Sequence, residues 1–116
     1  MVKQLLIIGL ALASTALPQT ALSGPVIGSE ITHIAMLGTG TPNPFPNRSG
    51  PAIAIVVNDE PYLIDFGPGL VRQAAALSPE YGGSIPGLAV EKLKHAFLTH
   101  LHSDHTVGLP DLILTS

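Results

Sequence analysis

The run Thr99-His100-Leu101-His102-Ser103-Asp104-His105 holds three of the chain's five histidines and one carboxylate. Helix and strand packing gives no reason to gather such side chains. A divalent cation does, because imidazole and carboxylate are the ligands it takes where no thiolate is offered, and the chain has no cysteine. The run therefore demands a fold that delivers one short segment, rigidly, to one place. His100 and His102 are two residues apart, so on an extended segment they project to the same side. Asp104 and His105 are adjacent and are expected to point different ways. One loop can thus offer His100 and His102 to a first ion and Asp104 and His105 to a second, the arrangement of a two-metal site with ions roughly 3.5–4 Å apart.

The flanking segments read as a small α/β unit. Ile31 to Leu37 is rich in β-formers and stops at Gly38, which marks a first strand. His33 lies on it, with no second ligand type nearby, and reads as structural. Gly38 to Pro51 is a loop, since its prolines remove backbone donors and its glycines permit positive φ. A dinucleotide-binding turn at Gly38-x-Gly40 is excluded: Asn43 stands where the third glycine belongs, and prolines follow where a helix should begin. Ala52 to Val57 is a continuously apolar strand, Asn58 to Pro61 a turn, and Tyr62 to Phe66 the next strand, antiparallel to the last in a hairpin. Unbroken apolar runs predict a sheet covered on both faces. Asp65 stands out in that strand, and burying it unpaired would be costly, so it requires partners.

Pro68 is suited to open a helix. Leu70, Val71, Ala74 and Leu77 recur at helical spacing, with Arg72 and Gln73 outside and Ser78-Pro79 as the stop. Glu80 to Gly87 is a Gly/Pro loop, and Leu88 to Leu93 a short helical turn. Lys94 to Thr99 is a strand that carries the histidine run at its C-terminal end, where α/β sites usually lie. His95, at the strand's start, reads as structural. A loop after His105 leads into a helix bearing Leu109, Leu112 and Ile113.

At 116 residues the chain allows one small domain at most. Its 46% hydrophobic and 11% charged content excludes disorder as the default. Lys3 precedes an apolar run from Leu5 to Ala13. Small residues at Ala21 and Ser23 suit cleavage after Ser23, with Ser14 and Ala16 as an alternative. Residues 1–23 thus have the pattern of a secretory signal peptide, followed by an exposed leader over 24–30. The run is short of the roughly 20 apolar residues that span a bilayer. The expectation is export, periplasmic or extracellular, without a stable membrane anchor. Beyond Ser23, four Lys and Arg face eight Asp and Glu. Proteins that hold nucleic acid by its phosphates usually present a basic face, so this balance counts modestly against a nucleic-acid partner. Oligomeric state is not legible.

The segment Phe97-Leu-Thr-His-Leu-His-Ser-Asp-His-Thr-Val-Gly-Leu-Pro110 resembles the metal-ligand segment of the metallo-β-lactamase superfamily. The closer likeness is to its ribonuclease Z and arylsulfatase-like branch, where Gly-Leu-Pro commonly follows the ligands. The resemblance covers about residues 31–116 and implies an α/β fold, the N-terminal half of a four-layer αββα sandwich. It implies two zinc ions, with His100 and His102 on the first and Asp104 and His105 on the second. Asp104 would also accept a proton from the attacking water. Asp65 and Thr99 would support the ligand loop, Asp65 through hydrogen bonds. The Gly38–Pro42 turn and the Arg48-x-Gly50-Pro51 stretch would lie near the mouth of the site. The wording Asp65-Phe-Gly-Pro-Gly69 departs from the Asp-Cys-Gly-Glu-Gly typical of ribonuclease Z proper, which weakens tRNA processing specifically. The further ligands that family members supply downstream are not in these residues, so the resemblance implies a fragment of a longer protein or a truncated gene product. It would expose the inner face of its sheet. The function implied is hydrolysis of an ester such as a phosphodiester or aryl sulfate, and with export a small ester is the expected partner. The alternatives are a tRNA 3′-end endonuclease and an inactive metal-binding fragment.

Overall fold

The structure, a computed structural model, describes residues 31–116. The expected signal peptide and leader lie outside the described residues. Strands β1 (His33–Gly38), β2 (Ala52–Val57), β3 (Glu60–Ile64) and β4 (His95–Phe97) form one sheet in that order. The first three run antiparallel, and β4 joins β3 in parallel. A parallel neighbour needs a crossover, and helix α1 (Leu70–Leu77) with three short 3-10 turns supplies it. Helices α2 (Ser103–Thr106) and α3 (Leu109–Thr115) follow β4.

The hairpin between β2 and β3 is tighter than its sequence suggests. Val57 pairs with Glu60, which leaves a two-residue loop. Asn58 and Asp59 both have positive φ, 50° and 63°, the left-handed pair whose twist matches that of the flanking strands. Asn and Asp tolerate this region better than other non-glycine residues. Pro61 consequently lies inside the ladder, opposite Val56.

One face of the sheet carries the core. Ala35, Leu37, Ala52, Ala54, Val56 and Leu63 are buried against Leu70, Val71 and Ala74 of α1, with Leu88, Leu93 and Leu112 closing the margins. The apolar positions of α1 face inward as their spacing predicts, and Arg72 and Gln73 are exposed. Pro68 does not open the helix: Gly69, at φ 89°, is its N-cap, and the first helical residue is Leu70. The left-handed cap suits a residue without Cβ.

The expectation of a sheet covered on both faces is not met among the described residues. Burial alternates along β2, with Ala52, Ala54 and Val56 inside and Ile53 and Ile55 only half-buried. The register lines up two cross-strand rows on the other face: Ile34, Ile55, Tyr62 and His95, then Met36, Ile53, Ile64 and Phe97. Ile34, Met36 and Phe97 are more than half exposed. No element among the described residues covers these rows. The strands look doubly apolar in sequence; among the described residues one side is packed.

Candidate metal centre

The site forms at the C-terminal ends of the parallel pair β3 and β4. Asp65 follows β3 directly and lies outside the strand, with φ at 62°. That turn aims its carboxylate across to the segment after β4. The backbone is clamped on both sides: Asp65 N–H donates to Phe97 C=O at 2.7 Å, Phe66 N–H to His105 C=O at 2.8 Å, and Gly108 N–H to Phe66 C=O at 2.8 Å. Gly108 must lack a side chain here, since a Cβ would stand 2.4 Å from Gly67 O and 2.6 Å from Phe66 O.

Asp65 is buried and fully engaged. Its Oδ1 accepts from Thr99 N–H at 2.8 Å. The Thr99 hydroxyl lies 2.9 Å from Oδ1 and 2.8 Å from Oδ2, and His105 Nδ1 lies 2.7 Å from Oδ2. Burial works to raise the Asp65 pKa. The Thr99 N–H bond, the bonds from the His105 ring and Thr99 hydroxyl, and the nearby His105 charge outweigh it, so the carboxyl is held below its ordinary value. The partners that the sequence required of Asp65 are therefore Thr99 and His105.

The histidine run is not one extended loop. Residues 98–102 have no regular structure, and Ser103 to Thr106 turn into α2, with His102 extended as its N-cap. This overturns the expectation that Asp104 and His105 point different ways: His105 Nε2 lies 3.5 Å from Asp104 Oδ2. On a helical turn the two tips can swing together, which adjacent residues of a strand cannot do. His100 and His102 do meet, ring centroids 4.5 Å apart and edge-on, and His100 also packs on His105 at 4.0 Å. All four residues are thus gathered at one end of the sheet. Among the described residues, no three His, Asp or Glu side chains stand in position to hold one ion together.

The donor set fits a cation. Asp104 is only 8% exposed, and its Oδ1 is buried with no hydrogen-bond partner among the described residues. A buried carboxylate oxygen left without a partner is costly. When His105 is neutral and its Nδ1 hydrogen is directed to Asp65, its Nε2 lone pair faces Asp104 Oδ2 at 3.5 Å, a spacing that a cation between them would bridge. Two ligands on one tetrahedral zinc stand about 3.4 Å apart at ordinary bond lengths. A carboxylate on the far ring nitrogen is also the usual companion of a metal-binding histidine.

The loop between β1 and β2 forms the rim. Gly40 N–H donates to Ser49 C=O, Gly50 N–H to Pro68 C=O and Gly67 N–H to Pro51 C=O, which straps the loop to the turn after β3. A hollow of about 140 Å³ between loop and site is lined by Thr41, Asn43, Arg48, Ser103, Asp104 and Val107. The stretches placed near the mouth by resemblance do lie beside Asp104. A larger hollow of about 490 Å³, on the Pro44–Ser49 and Gly69–Gln73 side, touches none of the four candidate ligands. Ser103 was not singled out by the sequence; no spacing signal marks it.

The described residues thus build a parallel β–α–β crossover with a histidine-rich turn at its carboxyl end. The family model of the metallo-beta-lactamase superfamily matches residues 46–116, and the chain belongs to that superfamily, whose members generally bind metal ions, often zinc. The chain is 39% identical over 84 residues to ribonuclease Z of Mycobacterium marinum, covering 72% of this chain and 27% of the relative. It is 43% identical over 83 residues to ribonuclease Z of Pyrococcus abyssi, with 72% and 24% covered. Ribonuclease Z of Pyrococcus horikoshii is 40% identical over 83 residues, again with 72% and 24% covered. The chain spans about a quarter of the length of these curated relatives.

Proposed function

We propose that the protein is a metal-dependent hydrolase of phosphodiester bonds, with zinc held through His100, His102, Asp104 and His105. The observation that carries this reading is the buried, unpartnered Asp104 Oδ1 next to His105 Nε2, in a cluster with two further imidazoles. Two ions bound there would supply Lewis acidity and bring a water molecule to deprotonation near neutral pH. The chain's own residues do the rest of the positioning. Asp65 takes the Nδ1 hydrogen of His105 and keeps Nε2 turned toward Asp104. Asp104 accepts a proton from the attacking water. Among the described residues, His100 and His102 are exposed.

The ribonuclease Z relatives support a phosphodiester over a sulfate ester. They also favour a second reading, cleavage of tRNA precursors at the 3′ end. The acidic balance beyond Ser23 and the Asp65-Phe-Gly-Pro-Gly69 wording weigh against it. Export belongs to the same proposal and is supported by Lys3 with the apolar run to Ala13.

The test is hydrolysis by the whole gene product of bis-(p-nitrophenyl) phosphate, p-nitrophenyl sulfate and a tRNA precursor, with zinc and after chelation. Zinc-dependent cleavage of the small phosphodiester is expected. Cleavage of the sulfate alone overturns the choice of bond, cleavage of the precursor alone selects the second reading, and activity indifferent to chelation overturns the metal. In parallel, His102→Ala should lower zinc stoichiometry or affinity in a calorimetric titration; equal values would remove His102 from the ligand set.

A further inference from the structure

Thr99 sits between two groups whose demands on its single hydroxyl hydrogen conflict. Its Oγ1 is 2.8–2.9 Å from both oxygens of Asp65 and 2.9 Å from His100 Nδ1. The carboxylate can only accept. It also receives Thr99 N–H and the His105 ring, which is the surrounding of an ionised group. If the hydroxyl hydrogen went to His100, its lone pairs would face two carboxylate oxygens at contact distance. The hydrogen therefore goes to Asp65, and His100 Nδ1 must itself donate to Thr99 Oγ1. A neutral His100 then carries its proton on Nδ1 and its lone pair on Nε2.

From this geometry we infer that Thr99 is a positioning residue that sets the tautomer of His100, relaying to it the acceptor that Asp65 gives directly to His105. One carboxylate thereby presets two histidines in the same form: His105 by contact, His100 through one hydroxyl. Free imidazole side chains favour the opposite tautomer, with the hydrogen on Nε2, so the preset form has to be held. Both rings then offer Nε2 to whatever cation the cluster receives, with no proton to shed or move first. The His102 ring makes no hydrogen bond to the described residues and is left free to choose. The consequence for metal affinity rests on the proposed ligand role of His100; the tautomer itself does not.

The experiment is long-range ¹H–¹⁵N correlation on the metal-free chain at about pH 8, above the imidazole range. It is run on the parent, Thr99→Val and Thr99→Ser. The parent should show Nδ1–H at both His100 and His105. Thr99→Val should move His100 toward Nε2–H and leave His105 unchanged, since Asp65 still holds it; Thr99→Ser should restore the parent pattern. His105 reports whether the site is still folded. If Thr99→Val does not fold, the parent and the serine variant decide: Nε2–H at His100 in either overturns the relay, and Nδ1–H in both supports it. An unchanged His100 in a folded Thr99→Val also overturns it. Zinc affinity by chelator competition should fall about ten-fold or more in Thr99→Val. A chain with the expected tautomers that binds no zinc leaves the relay standing and removes the metal reading, so the two failures are distinguishable.

Discussion

Asp65 and His105 are 40 residues apart in the chain, and Asp65 Oδ2 stands 2.7 Å from His105 Nδ1. That contact joins the end of β3 to α2 and ties the hairpin half of the sheet to the histidine run. Asp65→Ala should strand the Thr99 N–H and the His105 ring hydrogen, each at a cost of about 1–3 kcal/mol. The urea midpoint of the metal-free chain checks the loss of stability. Zinc affinity should fall roughly 10–100-fold with it. A variant that unfolds and binds like the parent would show that these bonds hold nothing in place.

Stability should also depend on acid through the same carboxyl. Its folded-state pKa is lowered, from an unfolded value of about 3.9. The stabilisation is therefore complete above about pH 4 and drains away as pH falls from there through the folded value. Urea unfolding of the metal-free chain in steps below neutral pH should show that decline. Asp65→Asn should flatten it, and equal acid slopes in the two proteins would refute the assignment.

Gly108→Ala tests whether close backbone approach, rather than the ligands alone, positions the cluster. The added methyl would meet Gly67 and Phe66 carbonyls at 2.4 and 2.6 Å. It must push α2 away from Asp65 and open the His105 contact. Zinc affinity should fall although no ligand has changed, with the Nδ1–H signal of His105 weakened in the same spectra.

The one-sided core among the described residues sets a contrast between two apolar residues of the sheet. Leu63 is fully buried and Ile34 is 71% exposed on the opposite face. Leu63→Ala should cost about 2–5 kcal/mol, and Ile34→Thr should stay within about 0.5 kcal/mol. Chemical denaturation of the chain separates them; similar losses at both positions would mean that the outer rows are packed after all.

Export predicts a shorter mature protein. Edman sequencing or intact mass of material recovered from the periplasm or medium should place the new N-terminus at Gly24. Retention of Met1 in all fractions would remove the signal-peptide reading.

Local pattern carried much of this architecture. The ends of β2 and of α1 follow directly from composition and spacing, since the apolar β-branched run and the i, i+3, i+4 repeat each stop where the element stops. The four candidate ligands were legible for a similar reason: no packing requirement assembles such a run. Other features escaped because they depend on a partner remote in sequence or on where the chain turns. Asp65 reads as part of a strand, but its carboxylate is satisfied only from the left-handed turn just beyond it. Asp104 and His105 converge because the chain coils into α2 at Ser103, and nothing in the adjacency of two polar residues announces that turn.

Residue types by themselves determined that the chain carries cation-seeking side chains on a small α/β frame, because donor chemistry and hydrophobic period are properties of the chain alone. Which ring nitrogen faces the cluster, which carboxylate oxygen is left unsatisfied and which sheet face is packed were decided only in three dimensions. Each of those is set when β3, β4 and α2 close on one another and bring Asp65 to Thr99 and His105.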